Sequence, residues 1–380
     1  MSTLQLASRI KDLQASPIRE ILALVERPGM ISFAGGLPAA ATFPNFDLSE
    51  VPRSALQYGA TEGDSPLREI IANSLAAQGL HVAPAQVLVL SGSQQGIDLV
   101  AKLLIDTGTP VAVESPTYLA ALQVFRMFGA ELRTFQSHDI ARLAELRARF
   151  AYINPTFQNP TGACYSSAQR ATCAAACDES GTVLFEDDPY RDLAYDECSR
   201  TPVCSLLTRA RWIYQGSFSK SLAPGLRLGF LACSEDLAVY LGRLKQAADL
   251  HSNRLSQHLV MTALRAPNYQ TRLAEIISFY RQRRDAFAAA LARHFDGLAR
   301  WSVPRGGLFF WLELLNTLDT RALLPRALAQ QVAFMPGEPF FADEKPGHSA
   351  LRLNFSHAEP AEAERGLAIL ATLIRTAREP

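Results

Sequence analysis

The chain has 380 residues, 48% of them hydrophobic, with 37 Lys+Arg against 37 Asp+Glu and a formal net charge of zero. Length and apolar content allow a large core and roughly two or three domains. The balanced charge supplies no long-range field for nucleic acid or an anionic membrane, and no apolar run reaches the ~18 residues of a membrane span.

The first residues, Met1 to Ile10, lack an apolar stretch of signal-peptide length, so a cytoplasmic protein is expected. Residues 1–45 carry Pro28-Gly29, Gly35-Gly36 and Pro38 and read as an arm, with little helix beyond about Pro17 to Val25. From about residue 85 to 235, short apolar runs alternate with helical patterns. Val87–Leu90 precedes a helix from about Gln94 to Ile105, and Pro110–Val113 one from Leu119 to Phe128. Phe150–Ile153 precedes Ser167 to Glu179, and Thr182–Phe185, Trp212–Tyr214 and Leu226–Ala232 follow. Continuous apolar runs between helices predict a mostly parallel sheet covered on both faces, an α/β architecture of doubly wound type or a close relative.

The last hundred residues differ. Gly306–Leu314 reads as a strand entering from a glycine turn, Arg321 to Gln331 as helix, Val332–Met335 as short and extended. Leu351–Phe355 alternates, and a final helix spans about Ala361 to Ala377. The division expected is 1–45 as arm and part of a small domain, 46–280 as the large domain, and 281–380 as a smaller α+β domain. The six cysteines, Cys164, Cys173, Cys177, Cys198, Cys204 and Cys233, form no C-x-x-C pair and read as reduced packing residues, without a metal site.

In open α/β sheets, ligands bind beyond the carboxyl ends of the strands, and the polar residues that stand out fall there. Ser91-Gly-Ser-Gln-Gln-Gly96 opens a helix and offers free backbone N–H groups to an anion, or serves only as a cap. Tyr118 follows the second run, as ring stacker or core aromatic. Asn159-Pro-Thr-Gly162 follows the third, and Glu186-Asp-Asp-Pro-Tyr190 the fourth. A carboxylate at the end of a buried strand needs a partner, such as a protonated ring nitrogen, unless the two acids are simply a solvated loop pair. After the fifth run stands Lys220, within Gly216-Ser-Phe-Ser-Lys-Ser-Leu-Ala-Pro-Gly-Leu-Arg227. Hydroxyls and a guanidinium beside it suit a phosphate. A half-buried amine loses its proton more easily and attacks carbonyls. Lysine beside a phosphate cradle is what a pyridoxal 5'-phosphate Schiff base requires.

These motifs resemble those of the fold-type I pyridoxal phosphate-dependent aminotransferases of class I/II, closest to the branch of 2-aminoadipate aminotransferase and kynurenine aminotransferase II. The resemblance rests on Ser32-Phe-Ala-Gly-Gly-Leu-Pro38, Leu56-Gln-Tyr58 with Glu62-Gly63, Gly92–Gly96, Asn159–Gly162, Glu186–Tyr190, Ser217-Phe-Ser-Lys220 with Gly225-Leu-Arg227, and Leu351-Arg352. It implies a large domain with a mostly parallel seven-stranded-type sheet and a small α+β domain. It implies that Lys220 forms the Schiff base and moves the proton. Asp187 would pair with the ring nitrogen, and Asn159 and Tyr190 with the ring hydroxylate. Tyr118 would stack on the ring, and Ser93, Gln94, Ser217, Ser219 and Arg227 would hold the phosphate. Tyr58 would reach the phosphate bound by the other subunit of a homodimer. Arg352, helped by Asn159 and the Gly36 backbone, would grip the α-carboxylate of an amino acid or 2-oxo acid. Arg19 in the arm would meet a distal carboxylate or stay solvated. Gly59-Ala60 departs from the family pattern, and the stretch from Ser137 to Arg149 is short for it.

The activity implied is transfer of an amino group from an α-amino acid to a 2-oxo acid, with 2-oxoglutarate and glutamate as the expected pair. Other amino-acid chemistry on the same cofactor (β-elimination, racemisation, oxidation) is the first alternative. A non-enzymatic ligand sensor is the second, although motifs that begin near residue 16 are read as leaving no room for an attached DNA-binding domain. A nicotinamide dehydrogenase would need a G-x-G-x-x-G after a strand, which the sequence lacks.

Overall fold

The computed structural model describes residues 6–10, 29–343 and 347–377. The helix expected near residues 17–25, and Arg19 with it, lie outside them. The strands in chain order are β1 (Ile31–Ser32), β2 (Val87–Leu90), β3 (Pro110–Glu114), β4 (Glu131–Phe135), β5 (Phe150–Ile153), β6 (Val183–Asp187) and β7 (Trp212–Ser217). They continue with β8 (Gly229–Cys233), β9 (Ala299–Trp301), β10 (Phe309–Leu314), β11 (Val332–Ala333), β12 (Met335–Pro336) and β13 (Ala350–Asn354).

Seven of them form one sheet in the order β2-β8-β7-β6-β5-β3-β4. Every neighbouring pair is parallel except those of β8, which runs against both β2 and β7. Alternate residues of each strand enter cores on opposite faces. Val87, Val89, Ala112, Ala151, Ile153 and Leu184 pack under the helices Ser65–Ala76 and Ser167–Ser180. Leu88, Leu90, Val111, Val113, Phe150 and Phe185 pack under Ser93–Leu104, Leu119–Met127 and Glu235–Asp249. Burial on both faces is why these strands are apolar without a break.

Two elements depart from the sequence reading. β4 carries Glu131 and Arg133 and gives no apolar signal, because an edge strand of a parallel sheet needs no continuous apolar run. The run from Leu226 to Ala232 is not one strand. Residues 224–226 form a 3-10 turn and Arg227 takes a left-handed conformation at φ +49°, so β8 begins at Gly229.

A second sheet, β12-β13-β10-β9, is antiparallel throughout, and β1 pairs with β11 in parallel beside it. The helices Tyr269–Phe295, Thr320–Ala329 and Pro360–Thr376 complete this part. Its core joins Ile276, Tyr280, Phe287, Phe310, Leu351 and Leu367 with Ile31 and Phe33 from near the N-terminus. A division at residue 280 falls inside the Tyr269–Phe295 helix. No helix among the described residues is long and apolar enough to cross a membrane.

Because β8 opposes both its neighbours, β2, β3, β5, β6 and β7 all end at one edge of the sheet, and β8 begins there. The turns after β2, β3, β5, β6 and β7, and the one before β8, therefore converge.

Candidate active site

That edge holds a cavity of about 310 Å³. Ten of the sequence-predicted residues line it: Ser93, Gln94, Tyr118, Asn159, Asp187, Tyr190, Ser217, Ser219, Lys220 and Arg227. Pro189, from the Glu186–Tyr190 motif, and Asn154, which the sequence reading does not single out, line it as well.

One end of the cavity is built for an anion. The helix Ser93–Leu104 starts behind Gly92, which sits at φ +85°. Its first N–H groups have no partner within the helix and carry partial positive charge. A Cβ at position 92 would come within 2.5 Å of Arg227 Nη2, so glycine leaves the space the guanidinium needs. The Ser217 hydroxyl accepts from the Ser219 backbone N–H at 3.1 Å, which curls the turn into the cavity.

Asp187 ends β6 on the face shared with Phe185. It is buried, and both its carboxylate oxygens accept from neutral donors: Tyr152 Oη at 2.7 Å and Gln215 Nε2 at 2.8 Å. Strand register explains the second contact, since Asp187 and Gln215 are cross-strand partners. Burial pushes the carboxyl up to about 6, against the pull of the Tyr152 and Gln215 hydrogen bonds, and Asp188 adds to the rise. Asn154 holds the turn by donating to the Asp187 carbonyl and accepting from the Asn159 N–H at 2.8 Å. Tyr152 is missed by sequence reasoning because it stands in the apolar run Phe150–Ile153, and Gln215 because it falls just past the run Trp212–Tyr214, although the strand continues to Ser217.

Lys220 is half-buried, and its Nζ donates to the Gly36 carbonyl at 2.9 Å. Burial, then the nearby Arg352 and Arg227 charges, lower its amine to about 8. The Tyr190 ring centroid is 6.0 Å from Nζ. Burial raises the Tyr190 phenol, and it pushes the Tyr118 phenol up to about 12, so both stay protonated donors.

Arg352 does not line the cavity but is connected to it. It is buried on β13 and donates to Asn159 Oδ1 at 2.7 Å and to the Ala34 carbonyl at 2.5 Å. Its guanidinium lies 4.2 Å from the Phe309 ring centroid and 5.0 Å from that of Phe340. Its Nε is buried with no partner. Burial lowers it to about 10. Among the described residues no carboxylate pairs with it, and a buried cation so placed suits an anionic ligand. Tyr58 stands apart: it is 75% exposed and edge-on to His251 at 5.7 Å. Gly36 takes part through its carbonyl, and Arg19 is outside the described residues.

This arrangement fits a phosphorylated, protonated aromatic ring carrying an aldehyde. Anion donors stand at one end, a carboxylate awaiting a cation lies on β6, and an amine of lowered pKa lies between. Fold and site together define a pyridoxal phosphate-dependent enzyme of fold type I.

Comparison with known proteins agrees. The family description "Aminotransferase class I and II" matches residues 39–370. The chain is 40% identical to the 2-aminoadipate transaminase of Thermus thermophilus over 90% of both chains. It is 34% identical to aromatic-amino-acid aminotransferase 1 of Thermococcus litoralis, over 96% of this chain and 92% of the other. The crystal structure of LysN, an α-aminoadipate aminotransferase from Thermus thermophilus, complexed with N-(5'-phosphopyridoxyl)-L-leucine, superposes with a TM-score of 0.89 at 36% identity. That superposition covers 98% of this chain and 97% of LysN. The chain belongs to the class I and II aminotransferases.

Proposed function

We propose that this protein transfers the amino group of an α-amino acid to a 2-oxo acid in two half-reactions, with 2-oxoglutarate and glutamate as the returning pair. The observation that carries the reading is Lys220, an amine of lowered pKa in a cavity with an anion cradle at one end, and near it a buried arginine that no carboxylate among the described residues pairs with.

Pyridoxal phosphate, when bound, supplies the aldehyde and an electron sink for the carbanion formed when the α-proton leaves. Ser93, Gln94, Ser217, Ser219 and Arg227 would hold the phosphate by charge and hydrogen bonds. Asp187 would keep the ring nitrogen protonated, and Asn159 and Tyr190 would donate toward the ring oxygen. Tyr118 would pack on the ring face. Lys220 would anchor the cofactor covalently, then hold and return the proton at the substrate Cα. Arg352, steadied by Asn159, would take the α-carboxylate and so fix which Cα bond faces Lys220. The Gly36 carbonyl orients the Lys220 amine, and the Gly36 backbone would help Arg352 take the carboxylate.

A homodimer is part of the proposal. Leu48, Leu56 and Tyr58 are 64%, 76% and 75% exposed within one short segment, an apolar surface a second copy would cover. Tyr58 would then reach the phosphate held by the other subunit. The amino acids in the relatives' names, 2-aminoadipate and the aromatic amino acids, are the first substrates to try. Arg19 is proposed to meet a distal carboxylate. A cytoplasmic location is proposed too, supported by six cysteines that all stand as free thiols.

The test is spectroscopic. Holoenzyme should show a visible absorbance band that disappears when glutamate is added and returns with 2-oxoglutarate. Keto acid formed over many turnovers without any 2-oxo acceptor, beyond the one equivalent per site of the first half-reaction, would point to elimination or oxidation instead. Turnover retained by Lys220→Ala would overturn the assignment.

A further inference from the structure

Two cysteine pairs lie in this chain, and their surroundings differ. Cys173 and Cys177, four apart on the Ser167–Ser180 helix, are fully buried under the sheet, and Cys173 is raised well above the ordinary thiol range by its hydrogen bond to Cys177 and by burial. Cys164 and Cys198 come from separate loops, are both half-buried, and both line a cavity of about 580 Å³ that is not the active site. That cavity is walled by the turn after Gly162, the segment Cys198–Ser199 and residues 300–305.

Cys164 Sγ reaches the carbonyl of Ser199, the residue after Cys198, so the two thiols stand side by side on the cavity wall and each bears on the other's proton. Cys164 Sγ lies 3.7 Å from Arg170 Nη2 and 3.3 Å from the Ser199 carbonyl. Arg170 is fully buried and cannot turn away: it also donates to the carbonyls of Pro155, Tyr165, Ser199 and Thr201. Its nearest carboxylate, Glu186, is 3.9 Å away. The Ser199 carbonyl opposes a negative sulfur, whereas the Cys198 thiol and the Arg170 charge favour one. The favourable side prevails: the neighbouring Cys198 thiol, then the Arg170 charge, hold the Cys164 thiol below the ordinary range against the effect of burial, and the same pairing pushes Cys198 up.

We propose that Cys164 and Cys198 are a peroxide-reactive dithiol that closes reversibly to a disulfide, with Cys164 attacking and Cys198 resolving. The Cys164 thiolate attacks one oxygen of hydrogen peroxide; the O–O bond breaks and hydroxide leaves, taking a proton to become water. Cys164 is then a sulfenic acid. The Cys198 sulfur attacks it, the S–O bond breaks, and the oxygen departs with the Cys198 proton as a second water. Two thiols lose two electrons and one peroxide gains them. The thiolate, rather than the thiol, is the nucleophile, which is why the member beside Arg170 reacts first. The bond would tie the Asn159–Gly162 turn to the segment that follows Tyr190.

The holoenzyme, treated with hydrogen peroxide at neutral pH and digested without reductant, should yield one cross-linked peptide pair joining Cys164 to Cys198. The intact protein should lose two hydrogen atoms, and dithiothreitol should restore them. Cys198→Ser should leave a sulfenic acid on Cys164 that dimedone labels, whereas Cys164→Ser should give neither cross-link nor label. Cys173 and Cys177 should stay alkylatable after unfolding, as an internal control. Dimedone on Cys198 in Cys164→Ser, a cross-link between any other pair, or six intact thiols after treatment would overturn the proposal.

Discussion

At the scale of single residues, Asp187 is the informative case. Its oxygens are held by Tyr152 and Gln215, neither of which brings positive charge, and burial leaves the carboxyl at about 6. A protonated ring nitrogen would supply the missing cation and draw that value down again. Gln215→Leu removes one hydrogen bond to a charged acceptor, worth ~1.5–3 kcal/mol. The Asp187 pKa should rise, the pH at which the holoenzyme's visible band changes should move with it, and turnover should fall at least ~10-fold. A titration followed by absorbance checks this, since a merely structural defect would lower activity without moving the titration. Lys220 makes a second prediction. Its pKa is lowered to about 8, so the neutral amine is scarce below that pH and dominant above it. Only the neutral amine attacks an aldehyde. Recombination of apoenzyme with pyridoxal phosphate should therefore accelerate as pH rises through about 8 and level off beyond, as stopped-flow absorbance would read. Arg352→Lys keeps the charge but loses the planar fork. We expect ~10²-fold lower kcat/KM for amino acids, because roughly 2–3 kcal/mol of charge-assisted hydrogen bonding is lost.

At the scale of elements, the Ser93–Leu104 helix shows local propensity yielding to packing. Gly96 lies in its first turns, where alanine would ordinarily be better by ~1 kcal/mol. A Cβ there would collide with Gln215 Oε1 and approach Leu90 Cδ1 to 2.9 Å. Gly96→Ala should thus lower the melting temperature and disturb the Gln215–Asp187 contact. Adding Gln215→Ser should restore much of the loss, and a double-mutant cycle in thermal unfolding measures the coupling. The buried strands are readable because both faces are covered, and the helices Leu119–Met127 and Ser167–Ser180 fall within two residues of expectation. β4 is not readable, since its polar residues suit an edge as well as a loop. The turn at Arg227 is hidden as well: a left-handed arginine inside an apolar run has no local signature.

At the scale of the whole molecule, β8 opposing both neighbours is what gathers the turns after β2, β3, β5, β6 and β7, and the one before β8, at one edge. The C-terminal part then contributes Arg352 from β13, held to Asn159 and to the Ala34 carbonyl. We propose that the boundary between the two parts lies at the start of the Tyr269–Phe295 helix rather than at residue 280, because Ile276 and Tyr280 already belong to the C-terminal core. If Tyr58 reaches across a dimer, Tyr58→Ala should release cofactor ~10-fold faster on dilution, for the loss of about one charge-assisted hydrogen bond. Light scattering should still report two copies.

Residue types and their order were enough to name the cofactor chemistry, because a lysine among hydroxyls, an acid closing a buried strand and a glycine opening a helix each carry meaning locally. Partnership was not local. That Gln215 and Tyr152 occupy Asp187, that Asn159 steadies Arg352 from 193 residues away, and that Cys164 meets Cys198 beside Arg170 follow from strand register and loop convergence. Such contacts form only when distant segments are packed together, and no spacing along the chain encodes them.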